Sequence, residues 1–164
     1  MNRSSQRDTV TTDPDRMTDL DRFVKAQAGR HGTTFDQALA ELQAGRKASH
    51  WIWFVLPQLR VLGRSQMAHA YGIADLAEAQ AYAAHPVLGP RLVACVRAML
   101  SHSGKSAEAI LGPVDALKFC SCLTLFEKAA PDEPVWGQAL ECFYGGTRDE
   151  ATLAALDRQD AAPD

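Results

Sequence analysis

Between Lys47 and Tyr71 the chain gathers the residues best suited to chemistry: Lys47, Ser49, His50, Trp51, Trp53, Gln58, Arg64, Ser65 and Tyr71, with no acid between Glu41 and Asp75. Their types point to anion recognition. A helix capped by Ser49 would present first-turn N–H groups at its partly positive end, with Lys47 and His50 adding charge and a directional donor. Trp51 or Trp53 could offer a flat face to a planar ligand, and Gln58 supplies both a donor and an acceptor. Arg64 could fork onto a phosphate or carboxylate, with Ser65 capping the next helical segment toward Tyr71. His50 is the one residue nominated as a general acid or base, because unperturbed imidazole titrates near neutrality. Each residue also has a plainer reading. Tryptophans in an apolar run are commonly core, Lys47 beside Arg46 can be a solvated loop charge, His50 can be structural, and Ser49 can cap a helix without any ligand.

Other chemistries find no support. Cys95, Cys120, Cys122 and Cys142 are too sparse for a disulfide framework, and Cys120 and Cys122 would point to opposite sides of a helix. The five histidines form no His-x-x-x-His, and no Cys-x-x-Cys is present, so no metal is expected. A nucleophile elbow, a phosphate-binding Walker loop and a dinucleotide glycine run are likewise missing, and no cofactor is expected.

The elements that must position these residues follow from length and patterning. A chain of 164 residues, 46% hydrophobic and 23% charged with a formal charge of −3, suits one globular domain and excludes a polycation or a wholly disordered chain. No run of about 18 apolar residues suggests a membrane span, and Met1 to Arg16 lacks the apolar centre of a secretory signal, so a cytoplasmic location is expected. Charge is divided along the chain. Leu42 to Ala107 holds two acids against seven bases, whereas Asp115 to Asp164 holds ten acids against four bases.

Residues 1–17 are polar and read as a flexible tail, with Met17 a candidate initiator; 159–164 read as a second tail, leaving 18–158 as the domain. Inside it the punctuation is helical. Thr18 is expected to cap a helix with Leu20, Phe23 and Val24, and Thr33 or Thr34 a second with Phe35, Ala38, Leu39 and Leu42, stopped by Gly45. Asp75 with Glu78 and Thr147 with Glu150 fit capping boxes, Ser106 caps a short turn, and Pro113 opens a long helix. His85-Pro86 restarts the chain before a strongly periodic helix reaching about Ser101. Trp51 to Leu56 has no partner strand and reads as a short, fully buried helix. The fold class expected is all-α, a single multihelical domain of about seven to nine helices.

The block Lys47-x-Ser49-His50-Trp51-x-Trp53-Phe54-x-x-Pro57-Gln58-Leu59 is followed by Leu62-Gly63-x-Ser65 and by Tyr71-x-Ile73. Later come His85-Pro86-x-Leu88-Gly89-x-Arg91-Leu92, Lys118-x-x-Ser121-x-x-Thr124-Leu125-Phe126 and Phe143-Tyr144-Gly145-Gly146. Together they resemble the signature of a bacterial and fungal family catalogued as domain of unknown function eighteen-ten, some of whose fungal members carry the label calpastatin. The likeness covers about Leu20 to Leu156 and implies a multihelical fold with no established activity. Ala48, at a place often basic in relatives, and Cys120 and Cys122 depart from the pattern. The matching Lys118, Ser121 and Thr124 repeat at helical spacing and are expected to share a face that closes the cradle opened by Ser49 and His50. The leading expectation is a pocket for a small anionic, phosphorylated or nucleotide-like ligand, with the reaction unassigned. The alternative is a protein-interaction module in which the aromatic block is core. Nucleic acid is the weakest partner, because no helix carries a dense basic stripe.

Overall fold

Short apolar segments separated by capping residues and helix-stopping glycines give the computed structural model of the protein ten α-helical segments over the residues it describes, 14–161. This is all-α, with one segment more than the upper end of the expected range. In chain order they are α1 (Pro14–Lys25), α2 (Phe35–Gln43), α3 (Ile52–Val55), α4 (Gln66–Tyr71) and α5 (Leu76–Ala84), then α6 (Leu88–Leu100), α7 (Ala107–Leu111), α8 (Pro113–Ala129), α9 (Val135–Tyr144) and α10 (Glu150–Ala161). Helix α1 begins ahead of the start expected at Thr18, and α10 includes Gln159 and Asp160, which were assigned to a tail. Residues 1–13 and 162–164 of the two expected tails lie outside the described residues.

Several caps fall where side-chain chemistry places them. Thr34 and Gln37 form a reciprocal capping box on α2, and Ser65, Asp75 and Ser106 each accept from the backbone N–H three residues on. Pro113 opens α8 at its first turn, and Gly145 closes α9 at φ 61°. Two expectations need correction. The expected Thr147–Glu150 box is replaced by Asp149, whose Oδ2 accepts from the Thr152 N–H at 3.1 Å; its shorter carboxylate sits directly before the first helical residue. The turn after α5 is held by His85, whose Nδ1 accepts from the Val87 and Leu88 N–H groups, and α6 starts at Leu88 with Val87 as its N-cap.

Helix α8 is the axis of the molecule, packed against α5, α7, α9 and α10. Its apolar residues lie on every side, as a surrounded helix requires, and Phe119, Cys122, Leu123, Leu125 and Phe126 are fully buried. Phe23, Phe54, Tyr82 and Trp136 complete the aromatic centre. On either side of the short α4 the chain is irregular apart from a 3-10 turn at Arg60–Leu62. A lone parallel bridge joins Leu59 to Ile73, with the Ile73 N–H donating to the Gln58 carbonyl at 2.9 Å and the Arg60 N–H to the Ile73 carbonyl at 2.8 Å. A Cβ on Gly72 would lie 2.3 Å from the Arg60 Cα, so the glycine permits this backbone-to-backbone approach.

Candidate functional site

Where the cradle was expected, the donors of Ala48, Ser49 and Trp51 are taken up by the protein's own anion, Glu41. Glu41, on α2, receives the Ala48 N–H at 2.8 Å, the Ser49 N–H at 3.0 Å and the Trp51 indole N–H at 2.8 Å on one oxygen; its other oxygen accepts from the Ser49 hydroxyl at 2.6 Å. Burial works to raise the Glu41 pKa. The bonds from the Ser49 hydroxyl, the Ala48 N–H, the Trp51 indole and the Ser49 N–H outweigh it and hold the carboxyl at about 2. Ser49 therefore does not cap α3, whose N-cap is Trp51 and has no side-chain cap bond. With its hydroxyl held by Glu41, Ser49 is drawn back toward α2.

Lys47 is committed as well. Its Nζ lies 2.9 Å from Asp115 of α8, donates to the Ser49 carbonyl at 2.6 Å and sits 5.0 Å above the Trp51 ring, with the side chain 8% exposed. Trp51 is fully buried and offers no stacking face. His50 is exposed and has no hydrogen-bond or ionic partner among the described residues. Thr124 is buried, donating to the Cys120 carbonyl and accepting the Asp149 N–H. Ser121 donates to the Asp149 carboxylate at 3.0 Å. These two hydroxyls tie the start of α10 to α8; they do not close a cradle with Ser49 and His50.

A different set converges elsewhere. An open groove of about 760 Å³ runs between the irregular segment and α8, lined by Gln58, Val61, Leu62, Arg64, Ser65, Val114, Leu117, Lys118, Ser121 and Asp149. Gln58, Ala68 and Lys118 also border a narrow inner pocket of about 10 Å³, which Trp53 and Tyr71 line too. That is near the room one water needs. Lys118 lies 5.7 Å from the Trp53 ring and has no carboxylate partner among the described residues. Arg64 is exposed and also unpaired there. Trp53 is half-buried, which corrects the expectation of a fully buried segment, and its indole nitrogen is buried with no hydrogen-bond partner among the described residues. Six of the expected site residues, Trp53, Gln58, Arg64, Ser65, Lys118 and Ser121, thus share one region. Tyr71 reaches its inner wall while its hydroxyl meets His31 Nε2 at 2.7 Å.

Sequence reasoning missed Glu41, Asp115, Asp149 and His31. A signal for Glu41 was present: a buried indole in an acid-free window needs an acceptor, and Glu41 bounds that window.

Comparison with known proteins agrees with this architecture. No curated protein matches the chain significantly. The crystal structure of the conserved hypothetical protein Rv1873 from Mycobacterium tuberculosis is similar, with a TM-score of 0.80 and 47% identity over 85% of this chain and 96% of that one. The model of the family described as Protein of unknown function (DUF1810) matches residues 17–156, a span that holds both the Lys47–Leu59 block and the Lys118–Phe126 motif, and the chain belongs to that family.

Proposed function

We propose that the protein is a binding domain whose site is the groove between the Gln58–Ser65 segment and α8, and that it takes an anionic group joined to an apolar body. Lys118 and Arg64 supply positive charge, Gln58 and the Trp53 indole supply donors, and Val61, Leu62, Val114 and Leu117 meet the apolar part. The observation that carries this reading is the buried Trp53 indole nitrogen without an acceptor, in a ring facing an unneutralised lysine. A buried donor left unpaired costs about 1–3 kcal/mol, so an acceptor entering the inner pocket gains stabilisation that Trp51 already draws from Glu41. His50 has no described carboxylate to orient it, and the geometry gives an acid–base role no support.

Thermal shift with hexanoate, hexyl phosphate, hexanol and hexylamine tests the proposal. The two anions are expected to raise the melting temperature in a saturable way, the neutral and cationic analogues far less. Lys118→Gln is expected to weaken anion binding about tenfold. Equal responses to all four compounds, or an unchanged response in Lys118→Gln, would overturn it.

A further inference from the structure

We infer that the occupant of this groove is an acidic amphipathic helix of a partner protein, its apolar ridge lying along α8 and one of its carboxylates facing Lys118. The inference rests on the anion-binding reading above and names the source of the anion. Four large hydrophobic residues are exposed among the described residues, and three of them border the groove: Val61 at 62%, Val114 at 64% and Leu117 at 69%. Small-molecule pockets enclose most of their ligand, whereas here the apolar residues stand up on an open rim, the arrangement of a protein-binding surface.

The helical form of the partner follows from α8 itself. Val114, Leu117 and Lys118 are spaced i, i+3 and i+4, one continuous open stripe that ends at the buried Ser121, at i+7, on a helix otherwise wrapped by neighbours. Such a stripe accepts the ridge of another helix lying in the groove beside it. Charge then selects the kind of helix. Arg64 and Lys118 have no acidic partner among the described residues, and against these two cations the groove's lining holds one carboxylate, Asp149, whose Oδ2 is bonded to Ser121 and Thr152, so a net positive charge remains. A second copy docking face to face would oppose these cations to their own counterparts. Residues 1–13 set Arg3 and Arg7 against Asp8 and Asp13 and bring only Met1 and Val10 as apolar residues, so they supply neither a net acid nor an apolar ridge. An acidic partner neutralises what each of these would leave unpaired.

The test is selection from a display library of single-helix peptides on the full chain, followed by titration of synthetic winners. Enriched sequences are expected to combine an i, i+3, i+4, i+7 apolar ridge with flanking Asp or Glu. Leu117→Ser and Lys118→Glu are each expected to weaken their binding about tenfold while the circular dichroism melting curve is unchanged. A Glu→Lys version of the peptide is expected to recover affinity for Lys118→Glu. No enrichment, winners without acidic residues, or a concentration-dependent dimer abolished by Leu117→Ser would overturn the inference. If peptides fail while hexanoate still binds through Lys118, the docking inference falls and the anion-binding reading stands. If peptides bind through Leu117 with no response to Lys118→Glu, the acidic-helix inference falls, and the anion-binding reading falls with it only if hexanoate binding is also unchanged in Lys118→Gln.

Discussion

Trp51 and Trp53 stand two residues apart in one short helix and its cap, yet their surroundings differ in kind. The Trp51 indole donates to Glu41, with Lys47 above its ring and Asp115 behind the lysine. The Trp53 ring also has a lysine near it, Lys118, but among the described residues its indole nitrogen has no acceptor and the lysine has no acid paired with it. The same side-chain types thus form one closed and one open arrangement. What separates them is where the carboxylates go: α2 and the first turn of α8 deliver Glu41 and Asp115 to the first, whereas near the second, among the described residues, the groove's carboxylate is Asp149, which bonds Ser121 and Thr152 rather than Lys118 or the Trp53 indole. The proposed ligand site is marked by unmet demand, since the richer cluster of donors is already satisfied.

The largest expected effect breaks the closed side. Glu41→Ala leaves two backbone N–H groups, a hydroxyl and an indole without their acceptor and is expected to lower unfolding free energy by about 3 kcal/mol, read by urea denaturation. The same carboxylate sets an acid limit. Its folded pKa lies below its ordinary value, so its contribution is complete above about pH 4.5 and is lost as pH falls toward about 2. Melting curves across that window should therefore be flatter for Glu41→Gln than for the natural chain.

Next, Asp115→Asn leaves the nearly buried Lys47 ammonium without its counter-charge and is expected to cost about 2 kcal/mol. The two tryptophans then give the sharpest contrast. Trp51→Phe, which removes a bonded indole, is expected to destabilise by about 1.5 kcal/mol, and Trp53→Phe, which removes an unbonded one, by less than about 0.5 kcal/mol. Smallest of all, Lys118→Gln is expected to shift stability by no more than about 0.5 kcal/mol, its effect appearing in anion binding. Equal losses for the two phenylalanine variants would erase the comparison.

The fold was largely legible because its boundaries are local. Thr34, Ser65, Asp75, Ser106 and Pro113 act on backbone groups within a few residues, so their roles can be read from spacing. The site was legible in residue type and only partly in place. Lys47 and Lys118 look alike in sequence, and what distinguishes them is Asp115, brought across the fold to one and withheld from the other. Ser121 and Thr124 share helical spacing with Lys118, but both turn to Asp149, a pairing fixed only when α10 docks on α8. The role of His85 was hidden for a different reason: a ring nitrogen accepting two backbone N–H groups depends on how the turn after α5 closes.

The most direct test of the account follows the three indole N–H resonances of Trp51, Trp53 and Trp136 by ¹H–¹⁵N correlation during a hexanoate titration, with assignments from single Trp→Phe variants. The account predicts a saturable shift of the Trp53 resonance, with those of Trp51, bonded to Glu41, and Trp136, bonded to the Ala130 carbonyl, nearly still. A Trp53 resonance that does not move, or a Trp51 resonance that moves first, would contradict it.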